Sequence, residues 1–233
     1  SEDAMMISRI SKRGQKVVLK LNMDGKFVED RWSRNIIAEL KGSTYPEEII
    51  VVGGHIDSWD VGQGAHDDAG GCVAAWRAVT LIKELGLKPR RTIRIVLWTN
   101  EENGGKGNEN YKNEHLSELN NHILAIESDG GVFAPQGFGF TGSEKARDYI
   151  LDIASLLDPI GAGTITNWGR AADVAPLNDN GVPVMSLNVD NSKYFWYHHT
   201  NADTFDKIDF REFNNCIAAM AIMSYVVSDM EKK

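Results

Sequence analysis

The chain alternates short apolar runs with stretches in which apolar residues recur every three or four positions. The first pattern is typical of β-strands and the second of amphipathic α-helices. The runs predict strands over residues 15–23, 33–40, 48–53, 92–99, 122–127 and 182–189. The periodic stretches predict helices over residues 68–85, 107–119, 143–157 and 171–180, and a long last helix with a capping box formed by Asp209 and Glu212. This order predicts an α/β domain with a largely parallel sheet, because parallel strands need crossover connections.

Composition narrows the class of protein. The chain has 233 residues, of which 42% are hydrophobic and 25% charged, as expected for a globular domain with a buried core. No apolar run approaches the roughly 18 residues that cross a bilayer. The net charge of −8 argues against nucleic acid as the main partner. We therefore expect neither a membrane nor a nucleic-acid partner. Cys72 and Cys216 lie in helical apolar patterns, so we expect buried free thiols rather than a disulfide framework.

Imidazole and carboxylate side chains gather directly after the predicted strands. Taken singly, each group has an ordinary structural explanation, such as a hydrogen-bonded core histidine, an acidic helix cap, a solvated loop or a turn. Taken together, they would converge on one edge of a parallel sheet and repel one another unless cations neutralised them. The five segments are Gly53–Asp57, His66–Asp68, Asn100–Glu102, Glu127–Gly130 and Tyr197–Thr204.

The donor atoms in these segments favour zinc. None of the five segments contains cysteine, so the donors are imidazole nitrogens and carboxylate oxygens, both of which Zn²⁺ accepts. Two ions about 3.5–4 Å apart need a bridging carboxylate and further ligands on each side. A carboxylate that binds no metal can then take a proton from the attacking water. We therefore expect two Zn²⁺ per chain and a hydrolytic reaction.

Four stretches resemble the signatures of a known family. They read GGHIDSWDVGQGAHDDAGG, WTNEE, ESDGG and YHHTNADT, and the similarity extends over nearly the whole chain. The family is that of the di-zinc exopeptidases, which includes aminopeptidases and glutamate carboxypeptidases. The resemblance implies a three-layer sandwich with a mixed, mostly parallel central sheet. It also implies hydrolysis of dipeptides or short peptides with a free C-terminus, by a water molecule bound to both zinc ions.

The resemblance implies a role for each matching residue. Asp67 would bridge the two ions, and Glu101 would be the general base. Asp57 would hydrogen-bond the far nitrogen of His55 and so fix its tautomer. The Asp67–Asp68 peptide bond would be cis. The remaining ligands would be His55 with Asp129 on one zinc, and His199 with Glu102 on the other.

Some positions near these residues depart from the family pattern or have no settled role. His198 stands where related carboxypeptidases carry a tyrosine that stabilises the oxyanion, so either His198 or Tyr197 is expected to contact the oxyanion. A packing role is the alternative for both. His66 stands where a small or apolar residue is expected, and a stray ligand there could disturb the choice of metal. The sequence does not place Arg147 or Arg170 well enough to identify either as an anchor for a substrate carboxylate.

Three alternative functions stay open from the sequence. An aminopeptidase would use the same metals but bind the free α-amine of its substrate. A non-catalytic binding module of this fold would have lost ligands or the base, whereas all six positions are filled here. Glutaminyl cyclases share the fold with a single zinc, which the intact pair of His55 and Asp129 disfavours.

The resemblance also bears on domain organisation. Members of the family are longer and carry a protease-associated-like domain inserted ahead of the catalytic motifs. Residues 1–23 resemble the tail of that insert, and residues 24–233 would then form the catalytic domain. We expect a catalytic domain without its N-terminal part, so its activity alone needs a test. The resemblance further points to secretion or lysosomes and to a homodimer.

Overall fold

The computed structural model describes residues 2–231 of a chain that divides into two units, Ser1–Ser33 and Arg34–Lys233. The first unit contains helix α1 (Glu2–Lys12), followed by residues without regular structure. The strand predicted over residues 15–23 is absent, and its alternating residues Leu19 and Leu21 are 61% and 79% exposed. That prediction was wrong because a strand also needs a hydrogen-bonded neighbour, and no described residue pairs with this segment.

The second unit is an α/β domain built from strands and helices in alternation. Its strands are β1 (Ile36–Leu40), β2 (Tyr45–His55), β3 (Arg91–Trp98), β4 (His122–Glu127), β5 (Pro135–Thr141), β6 (Thr164–Thr166) and β7 (Val184–Val189). Its α-helices are α2 (Gly70–Glu84), α3 (Lys106–Glu114), α4 (Glu144–Ala154), α5 (Ala175–Asn178), α6 (Tyr194–Tyr197) and α7 (Phe210–Asp229).

Among the described residues, seven strands form one sheet in the order β1-β3-β2-β4-β7-β5-β6. Strand β2 is parallel to both of its neighbours, β3 and β4, and β4 is parallel to β7. Strand β6 is parallel to β5, whereas β1 and β5 run antiparallel to β3 and β7. The sheet is therefore mixed and mostly parallel, which confirms the predicted fold class.

Helices cover both faces of this sheet and make three layers. Helices α2, α4 and α7 contribute to the larger hydrophobic core, and α3 and α5 to the smaller core on the other face. Along β2, Ile50 and Val52 belong to the first core, and Ile49 and Val51 to the second. Because successive strand residues point to opposite faces, burial on both sides requires a continuous apolar run here.

Most predicted elements are present with shifted ends. Strand β4 has the predicted bounds, and Asp209 caps α7 by accepting hydrogen bonds from the N–H groups of Arg211 and Glu212. Both cysteines are buried and free, as predicted. The helix predicted over residues 171–180 shortens to α5. Within residues 2–231, no helix has the length and apolar character needed to cross a membrane.

Strands β5 and β6, at the far edge of the sheet, were not predicted from the sequence. Glycines weaken the strand signal of β5, yet the packing requires them. A Cβ atom on Gly137 would lie 1.9 Å from the carbonyl oxygen of Thr164, and one on Gly139 would lie 1.7 Å from that of Trp168. Glycine in a strand allows another backbone to approach this closely.

Candidate metal centre

The loops that follow the carboxyl ends of the central parallel strands carry the candidate residues. His55 is the last residue of β2, and Asp67 lies in the wide turn that precedes α2. Glu102 follows β3, Asp129 follows β4, and His199 follows α6. Because β2 lies between β3 and β4, this edge is a point where the strand order reverses, the usual place for a ligand site in such sheets.

Asp67 lies at the centre of the cluster. Its Oδ1 atom is 3.2 Å from Nε2 of His55, and its Oδ2 atom is 3.2 Å from Nε2 of His199. Nε2 of His55 is also 3.2 Å from Oδ1 of Asp129. Nε2 of His199 is 2.9 Å from Oε2 of Glu102. The structure therefore brings all five predicted ligands into two half-sites that share the Asp67 carboxylate.

The cluster is acidic, and it is buried on the His55 side and open to solvent at His199, whose side chain is 38% exposed. His55 is fully buried and Asp67 is 4% exposed. Among the described residues, Oδ2 of Asp67 and Oε1 of Glu102 are buried without a hydrogen-bond partner. Burial would raise the pKa of Asp67, but the hydrogen bond and charge of His55 outweigh it and lower that pKa. Unpartnered carboxylate oxygens beside imidazole nitrogens suit a cation, because a buried oxygen without a partner is costly.

Main-chain hydrogen bonds fix the turn that carries Asp67. The buried carboxylate of Asp68 accepts one bond from the N–H of His55 at 3.0 Å and another from the N–H of Gly71 at 3.1 Å. The Asp67–Asp68 peptide bond is cis, as predicted. A Cβ atom on Gly71 would lie 1.9 Å from the carbonyl oxygen of Ser128, so only glycine fits there. The start of α2 is thus tied to the end of β2.

Asp57 contacts His55 differently from the expected carboxylate contact. Nδ1 of His55 lies 2.8 Å from the main-chain carbonyl oxygen of Asp57 and 3.9 Å from its carboxylate. A carbonyl can only accept, so Nδ1 donates this hydrogen bond, and with an ion bound Nε2 would offer its lone pair to the cluster. The Asp57 carboxylate instead accepts a hydrogen bond from the main-chain N–H of Glu101 at 3.1 Å.

Glu101 begins the turn after β3. Burial raises the pKa of its carboxyl group, and the negative charges of Asp129 and Glu102 raise it further. The preceding residue, Asn100, has a left-handed backbone with φ of 66°. Asparagine tolerates this conformation better than most residues, which explains a polar residue between a buried strand and the two glutamates.

Of the two candidates for an oxyanion contact, His198 lies in the cluster and Tyr197 does not. The His198 ring stacks on His199 with centroids 3.6 Å apart, and its Nε2 atom is 3.5 Å from Oδ2 of Asp67. Asp67, His198 and His199 also satisfy the geometry of a possible metal-binding group, as do His55, Asp67 and Asp129. Tyr197 packs against the larger core.

The unexpected His66 is a buried packing residue. Its ring stacks on Phe133 at 4.1 Å and on Tyr197 at 5.4 Å. Its Nδ1 atom accepts a hydrogen bond from the N–H of Val132 at 3.3 Å. Burial lowers its pKa, which keeps the ring neutral. His66 therefore has a structural role in the turn before Asp67.

Both candidate carboxylate anchors are engaged elsewhere. Arg147 donates to the carbonyl oxygens of Ile165 and Thr166. Arg170 forms a salt bridge with Asp179, in which one guanidinium nitrogen lies 2.9 Å from Oδ1 and 2.8 Å from Oδ2. Two neighbours of the cluster, Trp59 and Asp203, were given no role from the sequence. The Trp59 ring lies 5.4 Å from that of His199, and Asp203 accepts hydrogen bonds from the turn that carries Asp67.

Known proteins are similar to this chain in sequence and in fold. The chain is 47% identical to carboxypeptidase Q of Homo sapiens over 231 residues, which cover 99% of this chain and 49% of that protein. It thus spans about half the length of that relative. A peptidase M28 precursor from Shewanella amazonensis superimposes with a TM-score of 0.89 at 37% identity, covering 99% of this chain and 52% of the other. A zinc aminopeptidase from Bacillus subtilis shares the fold alone, with a TM-score of 0.68 at 20% identity over 85% of this chain and 51% of the other.

The model of peptidase family M28 extends across the whole cluster. It matches residues 35–224, which include every strand of the sheet and all the candidate ligands. The chain belongs to peptidase family M28.

Proposed function

We propose that this chain is the catalytic part of a zinc-dependent exopeptidase that hydrolyses dipeptides or short peptides with a free C-terminus. The observation that carries the proposal is the Asp67 carboxylate, whose two oxygens each face a different imidazole at 3.2 Å. A carboxylate shared in this way is the arrangement that a pair of catalytic metal ions needs. The 47% identity to carboxypeptidase Q supports the choice of a carboxyl-terminal substrate.

The residues present fit two zinc ions. The donors are imidazole nitrogens and carboxylate oxygens, and two buried carboxylate oxygens of the cluster lack a hydrogen-bond partner among the described residues. His55 and Asp129 would hold one ion, and His199 and Glu102 the other, with Asp67 shared. When bound, the ions would polarise the scissile carbonyl and make the attacking water more acidic.

Glu101 would be the general base of the reaction. Its carboxylate lies among the charged groups of the cluster but forms no ion pair with either imidazole in the described part of the chain. It would accept a proton from the attacking water and transfer that proton to the leaving amine. Burial raises the pKa of Glu101, which favours a carboxyl group that can hold a proton between accepting and releasing it.

His198 would donate a hydrogen bond to the oxyanion of the tetrahedral intermediate. Its ring is fixed by stacking on His199, and it is only partly buried, so its nitrogen can reach a bound substrate. A donor already in place where negative charge develops stabilises the transition state.

Metal content and peptide specificity test the proposal together. We expect two equivalents of zinc in the purified chain and zinc-dependent cleavage of dipeptides. N-acetylated dipeptides with a free C-terminus should be cleaved, and C-terminally amidated ones should not. Cleavage that is lost on N-acetylation instead would support an aminopeptidase. A chain that binds no zinc, or that cleaves neither series, would contradict the proposal.

For the domain organisation, we propose that the first 23 residues are the tail of an inserted domain and that the catalytic domain follows. The separation of Ser1–Ser33 from Arg34–Lys233 in the contact pattern supports a boundary in this part of the chain. Limited proteolysis should therefore remove the first 23 residues and leave a folded product that binds zinc. Loss of zinc binding on that cleavage would contradict the boundary.

A further inference from the structure

Asp203 connects two loops of the candidate metal centre. It lies four residues after His199 and is 3% exposed. Its Oδ1 atom accepts a hydrogen bond from the main-chain N–H of His66 at 2.7 Å, and its Oδ2 atom accepts one from the N–H of Asp67 at 3.2 Å. One carboxylate on the His199 loop therefore binds the two consecutive main-chain donors that lead into Asp67.

Further contacts hold the same two loops together. The N–H of Gln63 donates to the carbonyl oxygen of Asp203 at 2.8 Å, and the N–H of Phe205 donates to Oε1 of Gln63 at 2.9 Å. A Cβ atom on Gly62 would lie 2.6 Å from the carbonyl oxygen of Thr200, so the two backbones are in direct contact. The Gly62–Gln63 segment therefore packs directly against the loop that carries Asp203.

The Asp203 turn is closed by its own hydrogen bonds. Thr200 Oγ1 donates to the carbonyl oxygen of Tyr197 at 2.8 Å and accepts from the N–H of Ala202 at 3.1 Å. The N–H of Asp203 donates to the carbonyl oxygen of Thr200 at 3.1 Å. These bonds connect the Asp203 carboxylate to the backbone on either side of His199.

We propose that Asp203 is a positioning residue, which holds the Asp67 turn against the His199 loop so that one carboxylate faces both halves of the metal centre. The inference rests on the proposed function, because it concerns the same zinc-binding residues. Without Asp203, the N–H groups of His66 and Asp67 lose their acceptor in a buried setting, and the Asp67 turn can move away from His199. Residues that orient metal ligands affect affinity without touching the metal.

The test compares Asp203→Asn with Asp209→Asn. Both variants replace a carboxylate with an amide, and each carboxylate accepts hydrogen bonds from two main-chain N–H groups. Asp209 is the control because its two donors lie at the start of α7, outside the metal centre. Zinc affinity is measured by competition with a chromophoric chelator, the Co²⁺-loaded protein gives an absorption spectrum, and thermal unfolding reports stability. Asp203→Asn should bind zinc about 10–100-fold more weakly and shift the Co²⁺ spectrum. Asp209→Asn should keep the wild-type affinity and spectrum.

A second variant covers the case in which Asp203→Asn does not fold. Gln63→Ala removes one side-chain link between the loops and leaves the Asp203 carboxylate in place, so it should lower zinc affinity by a smaller factor. Wild-type affinity in a folded Asp203→Asn protein would overturn the inference, as would an unfolded Asp203→Asn together with wild-type affinity in Gln63→Ala. A wild-type chain that binds no zinc would refute the proposed function as well, whereas zinc binding and peptidase activity that are unchanged by these variants would refute the positioning role alone.

Discussion

The carboxylate of Asp57 accepts a hydrogen bond from the main-chain N–H of Glu101 at 3.1 Å. This contact joins the loop after β2 to the turn after β3, and it leaves the orientation of the His55 ring to a main-chain carbonyl. Asp57 therefore supports the proposed base more directly than the proposed ligand.

We accordingly expect Asp57→Ala to separate turnover from metal binding. Removal of the carboxylate frees the Glu101 backbone, and a displaced base slows the reaction by up to roughly 100-fold. Zinc stoichiometry should stay at the wild-type value, because the carbonyl of residue 57 still accepts from His55. The measurements are kcat and zinc content on the same preparation. Loss of one zinc would instead show that the carboxylate orients His55.

Replacement of Glu101 tests the base itself. Glu101→Gln keeps the size of the side chain but cannot accept a proton, so kcat should fall by about 10²–10⁴-fold. The variant should bind the same number of zinc ions as the wild type, because Glu101 is not one of the proposed ligands. A variant that retains half of the wild-type kcat would exclude Glu101 as the base. Glu102→Gln is the matched control, since the same change one residue later should lower zinc content.

The shared carboxylate predicts an unequal effect of ligand substitutions on metal stoichiometry. His55→Ala and His199→Ala should each reduce the zinc content by about one ion, because each imidazole faces only one half of the cluster. Asp67→Ala should weaken the binding of both ions, because its carboxylate faces both imidazoles. Zinc content measured on protein dialysed against a weak chelator decides the matter. Equal loss in all three variants would argue against two separable half-sites.

His198 has two possible roles at its observed position, and one variant separates them. If His198 donates a hydrogen bond to the oxyanion, His198→Ala should lower kcat by roughly 10²–10³-fold while the zinc content stays unchanged. If His198 is instead a metal ligand together with Asp67 and His199, the same variant should bind less zinc. Unchanged kcat and zinc content would leave it as a packing residue against His199.

The strand ends that carry the cluster were predictable from the sequence, because buried parallel strands are continuous apolar runs. Ile49 to Val52 form such a run, and His55 follows it after two glycines. The role of Asp203 was not predictable in this way. Asp203 accepts hydrogen bonds from His66 and Asp67, which precede it in the chain by 137 and 136 positions. A local sequence pattern carries no information about a contact between residues so far apart.

The misassigned elements have a similar origin. Residues 15–23 alternate like a strand, but alternation carries no information about whether a neighbouring strand is present. In β5 the glycines at positions 137 and 139 hide a real strand, because close backbone contacts with residues 164 and 168 replace side-chain packing. Both errors concern contacts distant in sequence, whereas strands such as β4 were specified by their own residues.

A buried chain of hydrogen bonds beside the smaller hydrophobic core predicts how the free energy of unfolding depends on pH. Nδ1 of His122 lies 3.0 Å from the carbonyl oxygen of Glu118, and its Nε2 lies 2.9 Å from the Tyr111 hydroxyl, to which Arg94 donates at 3.0 Å. The Tyr111 hydroxyl therefore donates to a neutral His122 ring. Burial lowers the pKa of His122, and the charge of Arg94 lowers it further.

The sign of the effect follows from this lowered pKa. As the pH falls below about 6.5, His122 takes up a proton in the unfolded chain but not in the folded one, so acid favours unfolding. Each unit of pKa depression corresponds to about 1.4 kcal/mol of folding free energy, lost between pH 6.5 and the folded pKa. In His122→Gln the amide can still accept from Tyr111 and does not titrate. Its unfolding free energy, measured by urea at pH 8 and pH 5, should fall less than that of the wild type between the two pH values. The pH 8 value serves as the reference for lost packing, and an equal fall in both proteins would show that His122 is not the titrating group.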